Sequence, residues 1–228
     1  MTLLDPEKVN SQDCAFIAEE AEAAGSTAIM VGGSTVASNT EIDEAVQRIK
    51  QKVKIPVILF PNNLIGVSKY ADAIWFMSLL NSEITYWVIE AQALGAFTVK
   101  KYGLEAIPMG YIIVGDGGTA GYIGRARGIP LDKPELALAY SLAAEQLGMR
   151  WVYLEAGSGA KNPVPPEMIA VVRKYCNSTL VVGGGIRDPL TAKIASKAGA
   201  QIIVTGNLVE GREKIREKIA EIVSAISR

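Results

Sequence analysis

The sequence predicts an α/β fold: a (β/α)8 TIM barrel with an irregular third unit. Three observations carry that prediction. Eight short, apolar, β-branched runs recur along the chain. Segments of helical period lie between them, the alternation that builds a parallel sheet. The chain has 228 residues, enough to bury a large core, and barrels of this size form one domain, here residues 1–228. A doubly wound open sheet shares the alternation, but eight parallel strands in this length fit closure better.

The elements follow in order. The first strand is read in MTLLD (1–5), before a helical pattern near 13–24. AIMVGG (28–33) leads to a helix near 41–53. PVILFP (56–61) is followed only by NNLIGVSKYAD, too short for a full crossover helix, so a turn or a distorted segment is expected there. AIWFMSLL (73–80) precedes a helix at 82–102. IPMGYIIV (107–114) runs into GDGGTAGYIGRARGIPLDK (115–133), which lacks clear periodicity and reads either as a functional lid or as a surface excursion. A helix at 134–147, the strand WVYLEA (151–156) and a helix at 166–175 come next. TLVVGG (179–184) passes to a helix at 189–198, with Asp188 as its cap and Pro189 at its first position. QIIVTG (201–206) and a helix at 210–226 complete the chain.

Composition excludes several function classes. The net charge is −1 with acids and bases interspersed, which offers no basic stripe to nucleic acid. Histidine is absent, which removes the commonest general base, serine–histidine triads and imidazole-rich zinc sites. Acid–base chemistry then falls to carboxylates, Tyr or Lys. Cys14 and Cys176 lie far apart and form no ligand cluster. There is no basic leader and no apolar run of transmembrane length, so the expected location is the cytoplasm, with transient membrane association. A mean hydropathy of +0.21 leaves room for an apolar groove or an oligomer interface.

Barrels gather their reacting groups at the C-terminal ends of the strands. Asp5, Gly32-Gly33-Ser34, Asn62, Asn81, Glu155, Gly183-Gly184-Gly185 and Gly206-Asn207 stand there. The glycines in VVGGGIRDP, ahead of a helix N-terminus, and those in VTGN fit a phosphate cup built from loop N–H groups, against the plain alternative of two tight turns. In YLEAGSGA, strand alternation puts Tyr153 and Glu155 on one face, and Glu155 is the best-placed carboxylate to take a proton from a substrate hydroxyl. The alternative for Glu155 is an ion pair with a helix cation. Asp5 and Ser34 end neighbouring strands as an oxygen-only pair suited to Mg²⁺, or Asp5 caps the following turn. No Lys ends a strand, and the first βα turn lacks G-x-G-x-x-G, which argues against Schiff-base and dinucleotide chemistry.

Taken together, YLEAGSGA, GGGIR, VTGN, FMSLLNS (76–82) and MTLLDP resemble the geranylgeranylglyceryl phosphate synthase family over essentially the whole chain. LLNS and AQALGA resemble its archaeal-type branch, to which bacterial heptaprenylglyceryl phosphate synthases are related. The resemblance implies ether formation between the 3-hydroxyl of sn-glycerol 1-phosphate and C1 of a prenyl diphosphate, probed first with geranylgeranyl diphosphate. It implies an acceptor site made of Tyr153, Leu154, Glu155, Ala156, Gly157, Ser158, Gly159, Gly184, Gly185, Gly206 and Asn207, with Glu155 and Tyr153 catalytic. It further implies Mg²⁺ at Asp5 and Ser34, and a homo-oligomer. Ile74, Phe76, Tyr86, Trp87 and Tyr122 are candidates for a prenyl slot or for ordinary core. Members of the family generally carry a segment before the first strand, whereas this sequence starts on it, either as a true short form or with its start trimmed; a charged diphosphate contact from that region would then be missing, with lower activity expected. Two rivals are a phosphate-binding barrel isomerase using Asp5 and Asp116, and a non-catalytic phosphate- or lipid-binding barrel.

Overall fold

The computed structural model describes residues 1–33, 35, 38–206, 208 and 214–227. Eight strands form one sheet in chain order: β1 (Thr2–Leu4), β2 (Ile29–Val31), β3 (Val57–Leu59), β4 (Ala73–Leu79), β5 (Glu105–Ile113), β6 (Trp151–Glu155), β7 (Thr179–Gly183) and β8 (Ile202–Val204). Every described register between them is parallel. Just past β8, Thr205 pairs in parallel with Thr2, and its carbonyl accepts the Leu3 N–H at 2.9 Å. This is the (β/α)8 class the sequence predicts. The strands are almost wholly buried, so they carry near-continuous apolar runs rather than alternation.

The helices are α1 (Ser11–Ala23), α2 (Asn39–Lys50), α3 (Ala91–Tyr102), α4 (Gly118–Ile123), α5 (Pro134–Gln146), α6 (Pro166–Tyr175), α7 (Pro189–Ala198) and α8 (Ile215–Ile226). Among the described residues no helix is long and apolar enough to cross a membrane. Contacts divide the chain into two compact units, one of Met1–Trp75, Ala93–Ala106 and Thr205–Ser227, the other of Phe76–Gln92 and Ile107–Val204.

In the first unit, Ile17, Ile29, Ile42, Ile49, Leu59 and Trp75 are fully buried, and the Phe60 and Trp75 rings meet edge-on at 5.2 Å. Asn10 caps α1 and Ser38 caps α2. The Glu22 carboxylate accepts the N–H groups of Lys54 and Ile55, both at 2.9 Å, which ties α1 to the chain entering β3. As expected, the third connection holds no crossover helix, only a 3-10 turn at Leu64–Gly66 started by the Asn63 side chain.

The second unit departs from the sequence reading in two places. The helix expected at 82–102 begins as a π-helical turn, Tyr86–Glu90, before becoming α3. The Ser78 hydroxyl donates to the Val88 carbonyl at 2.5 Å, and the Gln92 amide donates to Met77 and Trp87 carbonyls, so side chains serve carbonyls in and beside the widened turn. The aperiodic stretch after β5 contains α4, a short helix too glycine-rich for any apolar period to show. The closing helix is described from Ile215, and the expected residues 210–213 lie outside the described set. Both cysteines are buried thiols outside any disulfide, Cys14 within α1 and Cys176 at the end of α6.

Candidate active site

The second unit builds its polar centre on β6. Alternation points Tyr153 and Glu155 the same way, and both are inward, at 1% and 6% exposure. Tyr111 on β5 sits opposite Tyr153 in register, and Gly183 on β7 sits opposite Glu155. The two tyrosine rings stand edge to face at 5.2 Å and 87°. Both hydroxyls donate to the Glu155 carboxylate, and the Gly157 N–H donates to its Oε1 at 2.6 Å.

Two glycines of the VVGGG run make room for this cluster. A Cβ on Gly183 would fall 1.9 Å from the Tyr153 hydroxyl, and one on Gly184 would fall 2.5 Å from Glu155 Oε1. Neither position tolerates a side chain while Tyr153 and Glu155 keep their places. Gly184 and Gly185 also take positive φ, +81° and +72°, turning the chain toward α7. Asp188 caps that helix as predicted, accepting the Thr191 N–H at 2.8 Å, and this bond holds its carboxyl below the usual range.

Burial raises the Glu155 pKa, opposed in order by the hydrogen bonds from Tyr153, Gly157 and Tyr111. Desolvation and the neighbouring Glu155 charge push both tyrosines well above their ordinary value. The result is a carboxylate able to take a proton, flanked by two hydroxyls that keep theirs.

The Glu155 segment continues through buried Ala156 and Gly157 to exposed Ser158 and Gly159, with the Ala156 N–H bonded to the Gly183 carbonyl. Leu154 is buried on the opposite face of β6, pairing in register with Ile112 and Val182, so only its backbone is offered to this side. Thus Tyr153, Glu155, Ala156, Gly157 and Gly184 come together. Tyr111 is the residue the sequence reading missed. Its signal was the same alternation applied one strand earlier, since Tyr111 stands two places before the last residue of β5.

The first unit holds the other candidates. Asp5 follows β1 half-buried, and its Oδ1 accepts the Glu7 N–H at 3.1 Å, a bond of the turn-capping kind. A Cβ on Gly33 would fall 2.4 Å from the Asp5 carboxyl carbon, so the absence of a side chain there makes room for that carboxylate. Gly206 lies beside the Leu3 side chain, while Ser34 and Asn207 fall outside the described residues. Among the described residues no group of three or more His, Cys, Asp or Glu is assembled for a metal.

Other strand-end candidates have structural work. Asn81 is 2% exposed: its amide donates to the Ile113 and Arg127 carbonyls, both at 2.9 Å, and its Oδ1 accepts the Ile113 N–H. Asp116 is exposed and accepts the Gly118 N–H at the start of α4. Of the prenyl-slot candidates, Ile74 is buried, Phe76, Tyr86 and Trp87 are half-buried, and Tyr122 is 86% exposed.

Residues 1–226 match the PcrB family. A geranylgeranylglyceryl phosphate synthase of Thermococcus gammatolerans is 55% identical over 227 residues, covering 98% of this chain and 90% of that protein. The enzyme of the same name from Methanothermobacter thermautotrophicus is 50% identical over 226 residues, covering 99% and 92%. The crystal structure of (S)-3-O-geranylgeranylglyceryl phosphate synthase from Thermoplasma acidophilum in complex with its substrate sn-glycerol-1-phosphate superposes with a TM-score of 0.96 at 44% identity, covering 99% of this chain and 92% of that one.

Proposed function

Since the chain belongs to the PcrB family, we propose that it transfers a geranylgeranyl group from its diphosphate to the 3-hydroxyl of sn-glycerol 1-phosphate, forming an ether and releasing diphosphate. The acceptor oxygen bonds to the allylic C1 as the bond from C1 to diphosphate breaks, and the hydroxyl proton passes to Glu155. The observation that carries this assignment is the environment of Glu155: buried, raised in pKa, and aimed by two tyrosines and one backbone N–H. An allylic carbon develops positive charge before the hydroxyl loses its proton, so a carboxylate is base enough and a chain without histidine can do the chemistry. Tyr153 and Tyr111 orient the carboxylate, the segment Leu154–Gly159 lines the acceptor subsite, and the Gly184-Gly185 turn offers backbone N–H groups to the acceptor's phosphate.

The reaction is assigned a Mg²⁺ requirement, with Asp5 and Ser34 as candidate ligands. A hard carboxylate oxygen is the kind of ligand that ion takes, and Gly33 leaves room for the Asp5 carboxylate itself. When bound, Mg²⁺ neutralises charge on the diphosphate leaving group. The exposed Leu94 and Phe97 on α3, at 61% and 85%, support a homo-oligomer. The assigned location is the cytoplasm, with transient contact at the membrane that receives the lipid product.

Incubation with sn-glycerol 1-phosphate and Mg²⁺, offering geranylgeranyl, farnesylgeranyl and heptaprenyl diphosphates in parallel, tests the reading. Ether product is expected from the geranylgeranyl donor, none from sn-glycerol 3-phosphate, and turnover should cease with a chelator. Product from a longer donor alone would reassign the chain length. The isomerase rival needs Asp116 as an acid, and Asp116→Asn should leave prenyl transfer near normal, since that exposed side chain accepts the Gly118 N–H at the start of α4 and Asn keeps an oxygen for that bond.

A further inference from the structure

Arg187 stands between the glycine run and the α7 cap. It is an exposed side chain, yet its guanidinium is engaged: Nη2 donates to the Gly159 carbonyl at 2.5 Å and to the Ala160 carbonyl at 3.0 Å. Both carbonyls belong to the loop that continues from Glu155. Within that loop the Ala160 N–H donates to the Gly157 carbonyl at 3.1 Å, and the Gly157 N–H donates to Glu155 Oε1. A continuous hydrogen-bonded path therefore runs from Arg187 to the carboxylate, all inside one compact unit.

The loop needs such a tether. Gly157 and Gly159 both take positive φ, +104° and +73°, and free glycines lose more conformational freedom on ordering than any other residue. The packing against the glycine turn is close: a Cβ on Gly185 would lie 3.0 Å from the Pro163 nitrogen and 3.2 Å from the Ala160 carbonyl oxygen. Arginine suits two successive carbonyl acceptors, because its planar fork carries five donors and stays charged at any working pH.

We infer that Arg187 is a positioning residue: it clamps the Gly157–Ala160 loop against the Gly184-Gly185 turn and so preorganises the acceptor subsite around Glu155. The inference rests on the reading that this loop holds sn-glycerol 1-phosphate. A clamp of this kind acts on ordering, so its loss raises the KM of the acceptor more than it lowers kcat.

The test is Arg187→Ala and Arg187→Lys, with steady-state kinetics for each substrate and a thermal melt. Arg187→Ala is expected to raise the acceptor KM about tenfold while the prenyl diphosphate KM and the Tm hold, a loss at the low end for one charged hydrogen bond. Arg187→Lys should recover much of it, since an ammonium also carries several donors. An unchanged acceptor KM overturns the clamp, as does a loss spread over both substrates with a lowered Tm. If the unaltered protein makes no ether product, it is the proposed reaction that has failed. Calorimetry with sn-glycerol 1-phosphate then decides the clamp: about tenfold weaker binding to Arg187→Ala supports it, and equal binding, or none to either protein, overturns it.

Discussion

At the residue scale, Glu155 concentrates the chemistry, and its substitution separates binding from turnover. Gln keeps an oxygen to accept the Gly157 N–H at the position of Oε1, and its NH2 meets two hydroxyls that can rotate to accept. Glu155→Gln is therefore expected to melt with the unaltered protein and to bind sn-glycerol 1-phosphate with similar affinity. It can no longer take the proton, so turnover should fall roughly 10²- to 10⁴-fold. Circular dichroism, calorimetry and product assay check the three parts, and undiminished turnover removes Glu155 from the base role. The glycines of VVGGG show what sequence could and could not say here. Their lack of side chains is legible as a need for close approach, and a phosphate is the ordinary reason. That Gly183 and Gly184 also yield space to Tyr153 and Glu155 depends on the β6–β7 register, which no local motif encodes.

At the scale of elements, the eight strands were legible because both faces of each are buried, leaving runs of Val, Ile and Leu with glycine or polar residues at their ends. The π-helical turn before α3 was not legible, since widening a turn by one residue leaves the apolar period almost intact. Asn81 shows the same limit at a strand end. By position it reads as a site residue, but its three hydrogen bonds fasten the end of β4 to Ile113 of β5 and to Arg127. Asn81→Leu fills similar volume while stripping partners from buried backbone groups, a cost of about 3 kcal/mol. In a chain of this size that corresponds to a Tm lowered by roughly 6–12 °C, with the acceptor KM changed little. A Tm shift below about 2 °C with a large KM change would instead put Asn81 in contact with substrate.

At the scale of the whole molecule, the absence of histidine makes the pH profile unusually readable. No imidazole exists to titrate between pH 5 and 8, so with both substrates saturating an acid limb in kcat points to a shifted protein group, whereas kcat/KM also carries the acceptor's phosphate, whose second pKa is about 6. Glu155 is the group in the candidate site whose carboxyl is pushed above the ordinary 4.5, with burial as the leading cause. The base must be ionised to work, so activity rises with pH through a midpoint above 4.5. Stability moves the other way. The folded protein binds this proton more tightly than the unfolded chain, so Glu155's contribution to stability is complete below the unfolded pKa and is lost as pH rises through the folded one. The active, ionised form is thus the strained one, which is how a site built for proton transfer differs from a structural ion pair. Tyr111→Phe tests this directly. The Tyr111 hydroxyl bonds to the carboxylate and favours its ionised form, so removing it should move the acid limb to higher pH while leaving the alkaline side in place. The pH at which the Tm stops falling should move upward with it, while the pH at which the fall begins, set by the unfolded chain, stays in place. A limb that stays where it was, in activity and in Tm alike, would assign the titration to another group and leave Glu155 as an acceptor of hydrogen bonds only.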